Sequence, residues 1–333
     1  MDKGTMELSR ICEAILASAD LSGMAGLAVG IMAGDEICTG ARGYRNIESG
    51  ELMDADTIFH CASISKTFTS TAVMKLVEEG KLRLDDKLAD VLPYLSIADK
   101  RCQKIEINHM LSHISGLQDA GELGWKAGLT GADALKNYAF ANEVTDRPML
   151  GEPGNCTPVY SDMAYDLLGL VVQEVSGQPF ETYIKENFFD PAGMKDTTFL
   201  TFERTGGSLS LEDIDKAKIA MPHVKDADGK IVLESMFPYT RQHAPSSTLT
   251  SNVSDLLKWG RYNLDKKAVS ADSYEKMWTE RVNIPDKFAM MGMGWFIRHE
   301  NGHMFVGHEG GDVGFRTSFW ICPECDAALV ILA

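Results

Sequence analysis

The stretch from Phe59 to Gly80 constrains this chain more than any other. Apolar residues at Phe68, Ala72, Val73, Leu76 and Val77 repeat at helical spacing, and Gly80 supplies a C-terminal stop. Ser63 therefore falls at the helix's N-terminal end, three residues before Lys66. Residues three apart share a helix face, so Ser63, rather than Ser65, presents its hydroxyl to the Lys66 nitrogen. A serine hydroxyl is a poor nucleophile without a nearby base, and a lysine serves as one only where burial or positive surroundings lower its pKa. Taken alone, the pattern also describes an ordinary helix cap.

With 333 residues the chain can bury a large core, as one big domain or as two that share a cleft. Its 48 acidic against 32 basic residues give a formal charge of -16, which argues against nucleic acid and anionic membrane surfaces as partners. Residues 1–20 are amphipathic but interrupted by Arg10 and Glu13, unlike the continuous apolar core of a signal peptide. No run of about 18 apolar residues suggests a membrane span. Seven scattered cysteines, odd in number, suit a reducing compartment, so a cytoplasmic location is expected.

Along the chain, a surface helix over Leu8–Ser18 precedes a strand over Leu27–Met32, a turn at Gly34-Asp35 and a second strand through Thr39–Tyr44. Helical patterns dominate from Thr67 to about Gly193: Leu82–Leu92, Ile107–Leu111, Gly131–Ala141, Met163–Val175 and Pro179–Phe189. A helix over Leu211–Lys218, a hairpin across Asp226–Gly229 and a helix over Asn252–Tyr262 follow. Strands return at Gly294–His299, Met304–Gly307, Phe315–Ile321 and Ala327–Leu332. The expected fold is α+β, an α/β sandwich in which an antiparallel sheet is flanked by helices and carries a mostly helical insertion. The division expected is a discontinuous sheet domain, 1–66 plus 245–333, a helical insertion, 67–244, and a cleft between them.

Further stretches join the first: Leu111-Ser112-His113-Ile114-Ser115-Gly116-Leu117, Pro153-Gly154 with Tyr160-Ser161-Asp162, Pro191-Ala192-Gly193-Met194, and Gly307-His308-Glu309-Gly310-Gly311 leading to Gly314-Phe315. In family order and over nearly the whole chain, they resemble the serine β-lactamase-like and penicillin-binding-protein superfamily, in its class C β-lactamase, esterase and D-aminopeptidase branch. The resemblance implies that Ser63 is acylated, that Lys66 is its proton partner, and that Tyr160 exchanges protons with nucleophile and leaving group. His308-Glu309-Gly310 stands where many members have Lys-Thr-Gly and looks like the esterase and aminopeptidase branches more than the β-lactamases. The N–H groups of Ser63 and Gly311 would form the oxyanion hole, with donors fixed where negative charge develops. Gly311 suits that task because it lacks a Cβ.

Two departures matter. The family usually has Asn two residues after the tyrosine, where this chain has Asp162. An ionised Asp162 near Lys66 would raise the lysine's pKa, shifting base work to Tyr160, or would instead grip a cationic substrate amine. Relatives also usually continue into a helix that packs on the sheet, whereas this sequence stops at Ala327–Ala333. One apolar sheet face is thus expected to be under-covered or to meet a partner chain.

Other signals are discounted. His109 and His113 have metal-ligand spacing but no third ligand. Cys322-Pro323-Glu324-Cys325 reads as a turn, Cys61 as a small buried apolar side chain, and Met290, Met291 and Met293 as core or cleft lining. Trp125, Tyr239 and Trp295 are candidate cleft walls, and the loops Leu117–Thr130 and Phe237–Thr248 are expected to set substrate choice. The reading is a serine hydrolase that cleaves an ester or amide of a small molecule or short peptide. Catalysis falls to Ser63, Lys66 and Tyr160, with Asp162, His308, Gly310 and Gly311 in support and no cofactor or metal. The expected partners are the substrate and, through the C-terminal sheet region, a second copy of the chain. Acyl transfer on the same residues, a non-catalytic binding protein of this fold and, less favoured, a β-lactamase are the alternatives.

Overall fold

The computed structural model describes residues 3–119, 123–125, 130–285 and 287–333. A nine-stranded antiparallel sheet is built from β1 (Gly26–Ala33), β2 (Glu36–Asn46), β3 (Glu51–Leu52), β4 (Val282–Asn283), β5 (Met290–Met291), β6 (Phe296–Glu300), β7 (His303–Asp312), β8 (Phe315–Cys322) and β9 (Ala327–Leu332). Its order is β3-β2-β1-β9-β8-β7-β6-β5-β4. The chain thus leaves the sheet after β3 and returns at β4. β9 is an interior strand: Ala28 pairs with Leu332 on one side, and Thr317 pairs with Leu332 on the other.

Strand alternation gives β1 two apolar faces. Leu27, Val29 and Ile31 meet helix α1 (Lys3–Ser18), while Ala28 and Met32 join the main core. On that second face, Gly30 lets Val253 and Leu257 of a later helix approach to about 3.1 Å of where a Cβ would stand. α1 covers only part of its face. Between it and β7–β9 runs an apolar groove of about 430 Å³ lined by Ile11, Ile15, Phe305, Trp320 and Leu329. The groove lies on the face that α1 partly covers, and β9 itself is paired along both edges.

Two helices form the centre of the inserted region: α2 (Ser65–Glu78) and α3 (Asp162–Ser176). Every residue of α2 from Ser65 to Met74 is buried. A helix enclosed on all sides must satisfy its own hydroxyls. Those of Thr67, Ser70 and Thr71 donate to carbonyls within the helix or its preceding turn, and Thr69 donates 2.7 Å to the Pro245 carbonyl. Phe68 stacks on Trp259 with centroids 4.2 Å apart; Trp259 belongs to α4 (Val253–Leu264), the helix that closes the second sheet face. The largest apolar cluster includes Ala28, Met32 and Leu332 from the sheet together with Phe68 and Leu168 from the insertion, so one core serves both parts.

The local reading differs from the structure in several places. Of Leu82–Leu92, only Leu88–Val91 is helical, because the Asp86 carboxylate accepts the Arg83 N–H and holds a turn there. A helix over Ala271–Met277 was not expected; its signal is Ser270, whose hydroxyl accepts the Ser273 N–H, ahead of buried Tyr274 and Met277. A two-residue ribbon, Phe59–His60 with Thr250–Ser251, is too short to carry a strand pattern.

α3 passes so close to Pro245 that a Cβ on Gly169 would lie 2.0 Å from the proline Cγ. Gly169→Ala should therefore destabilise the fold by about 2 kcal/mol, as overpacking does, measured as a lower urea midpoint with an unchanged slope.

Candidate active site

Ser63 lies in a single 3₁₀ turn, Ala62–Ile64, that feeds directly into α2. Ala62, just before it, is buried with φ of 47°, a strained conformation for a residue bearing a Cβ. Its surroundings over-determine that turn. The Cys61 N–H donates to the Leu249 carbonyl at 2.7 Å, and the Cys61 carbonyl accepts from Thr317 Oγ1 at 2.9 Å. Ser65 Oγ donates to the Ala62 carbonyl at 2.7 Å and accepts the Leu249 N–H at 3.1 Å. Ser65 is thus a brace for the Ser63 turn, a role that its helical phase conceals.

Lys66 is completely buried and spends all three ammonium donors. They reach Ser63 Oγ at 3.0 Å, the Ser246 carbonyl at 2.9 Å and, at very short range, Asp162 Oδ1. Burial alone would depress the ammonium's pKa, but the Asp162 charge, followed by Tyr160, outweighs it and lifts the pKa above the ordinary lysine value. Of the three partners, the carboxylate and the carbonyl can only accept. The third direction is the one the nitrogen's lone pair would take if Lys66 were neutral, and it points at Ser63.

Tyr160 lies beside Ser63 and Lys66, and burial raises its phenol above the ordinary value against the pull of the Lys66 charge. The Lys66 Nζ lies 4.9 Å from its ring centroid and the Lys287 Nζ 4.7 Å. His113 stacks on the ring at 4.5 Å and 25°, and His113 Nδ1 accepts the Ser161 N–H at 3.0 Å. This histidine was read as structural from its sequence. It is so, yet it also fixes the plane of the candidate proton carrier. Asp119 was missed as well: its Oδ1 accepts from the Ser161 hydroxyl at 3.0 Å and the Met163 N–H at 3.1 Å, anchoring the start of α3.

His308 does not reach the cleft. It is fully buried on β7, packed on Phe296 at 4.6 Å, and its Nδ1 donates to the Glu309 carbonyl at 2.6 Å. Burial, then the nearby Lys66 charge, pushes its pKa down to about 3, so it is a neutral wall below Tyr160 rather than a substrate-facing cation. The two glycines divide the work differently from the sequence reading. A Cβ on Gly310 would lie 2.2 Å from Thr317 Oγ1 and 2.4 Å from the Cys61 carbonyl, so Gly310 is what lets β7 meet the Ser63 turn. Gly311 faces the cleft, where an added Cβ would touch only the Arg316 side chain at 3.5 Å or more.

Ser63, Tyr160, Asp162, Gly310 and Gly311 line one cleft of about 350 Å³. Lys287, Arg298 and Arg316 bring positive charge to it, Glu309 joins Asp162 as negative charge, and Phe288, Phe296 and Trp320 supply apolar surface. The proposed walls lie elsewhere: Trp295 and Tyr239 are core residues, and Trp125 donates to Asp312 Oδ1 at 2.8 Å. Of the two expected specificity loops, residues 120–122 and 126–129 lie outside the described residues, and Phe237–Thr248 contributes the Ser246 carbonyl. His109 is held in a reciprocal cap with Glu106, as expected for a structural residue.

A family model described as Beta-lactamase matches residues 13–333. Penicillin-binding protein 4 of Amycolatopsis lactamdurans is 26% identical over 323 residues, covering 92% of this chain and 80% of that protein. Of further curated relatives, the chain spans 55% to 62% of the length. Among solved structures, the octameric penicillin-binding protein homologue from Pyrococcus abyssi superposes with a TM-score of 0.76 at 27% identity, covering all of this chain and 73% of that one. D-amino acid amidase from Ochrobactrum anthropi SV3 reaches a TM-score of 0.81 over 98% of this chain and 91% of its own, a likeness of fold at 21% identity.

The glycine geometry separates packing from chemistry. Gly310→Ala should cost about 2 kcal/mol or more of stability by pushing the Ser63 turn off β7. Gly311→Ala should melt within about 0.5 kcal/mol of wild type. Thermal and urea unfolding of the two variants side by side checks both.

Proposed function

For a chain that belongs to the Beta-lactamase family, we propose a serine hydrolase that cleaves an ester or amide bond of a small molecule or short peptide through an acyl-enzyme on Ser63. One observation carries this reading: the buried Lys66 nitrogen is held 3.0 Å from Ser63 Oγ, with its other two donor directions occupied by partners that can only accept. A helix cap has no use for a desolvated lysine so completely partnered. The names of the penicillin-binding relatives support the reaction class.

In this reading Ser63 Oγ attacks the carbonyl carbon and gives its proton to the Tyr160–Lys66 pair. The oxyanion faces the N–H groups of Ser63 and Gly311. The pair returns the proton to the leaving oxygen or nitrogen as the bond to carbon breaks. Water then repeats the sequence, losing its proton to the pair and releasing the acid from Ser63. The pair must lose one proton before it can act as base, and Asp162 opposes that loss by holding Lys66 charged. Its carboxylate is engaged with Lys66, which favours this role over gripping a substrate amine. The cleft's three cations and two carboxylates suit a polar substrate with charges of its own. Cytoplasmic location is part of the reading, since all seven cysteines are unpaired, as is self-association through the C-terminal sheet region, which light scattering would read. Among the described residues no helix is long and apolar enough to cross a membrane.

The test is intact-protein mass spectrometry after exposure to a fluorophosphonate, alongside turnover of a panel of activated esters. Wild type should gain one adduct and turn over ester, and Ser63→Ala should do neither. Folded wild-type protein with no adduct and no turnover from about pH 6 to 10 would favour a binding protein instead. The role of Asp162 predicts a sign. Removing its charge lowers the pKa of the Lys66–Tyr160 pair, so the base form appears sooner as pH rises, and the rising limb of the Asp162→Asn rate profile should move to lower pH. An unmoved limb would sink the coupling.

A further inference from the structure

The Cys-x-x-Cys pair at the far end of the sheet forms the turn that its sequence suggests, but it is not alone there. Cys322 closes β8, and the chain reverses through Pro323, Glu324, Cys325 and Asp326, the last with φ of 48°, before β9 starts at Ala327. The β7–β8 register pairs Val306 with Ile321, so the next positions outward, Phe305 and Cys322, share a face. His303 stands two residues before Phe305 on β7 and projects from that same face. Two cysteines three positions apart and a histidine roughly twenty residues earlier thus converge through strand pairing, a juxtaposition that spacing along the chain does not reveal.

The ligand atoms of His303, Cys322 and Cys325 all lie within 4.8 Å of one another. Around tetrahedral zinc, with Zn–S near 2.3 Å and Zn–N near 2.0 Å, such atoms sit roughly 3.5 to 3.8 Å apart, so closing the set takes only small side-chain movements. Glu324 adds a carboxylate: its Oε2 lies 3.8 Å from Cys322 Sγ and accepts the Met304 N–H at 3.3 Å. The His303 imidazole has no hydrogen-bond or ion-pair partner among the described residues, which leaves a nitrogen lone pair available. Cys322 is buried while His303 and Cys325 are exposed, so an ion would have an entry path from solvent and a sheltered inner ligand.

The geometry points to a structural site for a thiophilic divalent cation, zinc foremost, held by His303, Cys322 and Cys325, with the fourth position taken by Glu324 or water. The donor set is two soft thiolates and an imidazole, which suits zinc over magnesium or calcium. Binding would displace the two thiol protons to solvent and leave the ion's charge balanced by two sulfurs. Such an ion would pin the first residue of β7 to the β8–β9 turn. That matters because β7 runs on to Gly310 and Gly311 at the nucleophile, so the ion would fix the outer end of the strand whose inner end lines the cleft.

Cobalt(II) titration of the full chain, reduced and freed of metal with a chelator, tests the site by spectroscopy and without reference to hydrolysis. Wild type should bind one equivalent with a thiolate-to-cobalt charge-transfer band and tetrahedral visible bands, all bleached by one equivalent of zinc. Cys325→Ser, at an exposed position that should not disturb the fold, should abolish the charge-transfer band or weaken binding at least tenfold. Cys322→Ser should do the same, and His303→Gln should weaken binding at least tenfold. Cys12→Ser, which removes a thiol near Cys38 in the other neighbouring cysteine pair, should change nothing. The proposal is overturned if reduced wild type shows no such band, if the band survives Cys325→Ser and Cys322→Ser, or if the two thiols close to a disulfide under reductant and leave cobalt unbound.

Discussion

A lysine ammonium with no access to water is the constraint around which this molecule is arranged. Burying an isolated cation would cost far more than any single packing gain, so Lys66 is tolerable only because three acceptors converge on it. Each acceptor comes from a different part of the chain: Ser63 from the turn before α2, Asp162 from the first residue of α3, and the carbonyl of Ser246 from the segment that leads back toward the sheet. The positions of those three segments are therefore coupled through one nitrogen. The Thr69 bond to the Pro245 carbonyl and the close passage of Gly169 past Pro245 then hold the returning segment where the third acceptor is needed.

The same requirement extends to the polar groups behind it. Asp166, one turn beyond Asp162 on α3, is buried and meets His243 Nδ1 at 2.7 Å, while His243 Nε2 lies 2.9 Å from the Leu123 carbonyl. Burial opposes a charge on His243, and the Asp166 carboxylate outweighs it and raises the histidine's pKa, while burial raises Asp166 above the ordinary carboxylate range. A second buried carboxylate contact thus stands behind the first and ties the segment before Ser246 to α3. That contact adds a directional constraint on how α3 sits against the turn at Arg241–His243.

Sequence legibility followed the physics of each feature. Ser63 and Lys66 could be paired because helical phase is local, and the strands around β1 and β6–β9 could be placed because their apolar runs are bounded by turns. Asp162 stood out as a departure, and its contact with Lys66 has the electrostatic sense expected of it. What escaped the sequence was long-range. His308 looks like a functional histidine in any linear reading, yet strand phase sends it into the core beneath Tyr160. Gly310 and Gly311 are adjacent and chemically identical, and only the sheet's pleat decides which meets Cys61 and which meets solvent. Asp119 carries no motif, since its worth lies in capping a helix more than forty residues away. Two-residue strands fall below the length at which any pattern can be recognised.

The central place of β9 bears on how this architecture is reached. Ala28 in the first strand finds its partner at Leu332, with the whole helical region between them. Loop closure on that scale must be met before the sheet's interior hydrogen bonds can form, which marks the topology as one of high contact order and slow assembly. Until β1 docks on β9, both strands expose an unpaired edge flanked by apolar faces, the kind of surface that recruits other chains. The helical region is no more local, since the Lys66 partners Asp162 and Ser246 lie 96 and 180 residues along the chain. The cleft, where Gly310 of β7 meets the Ser63 turn, therefore depends on long closures in both the sheet and the helical region rather than on any local element.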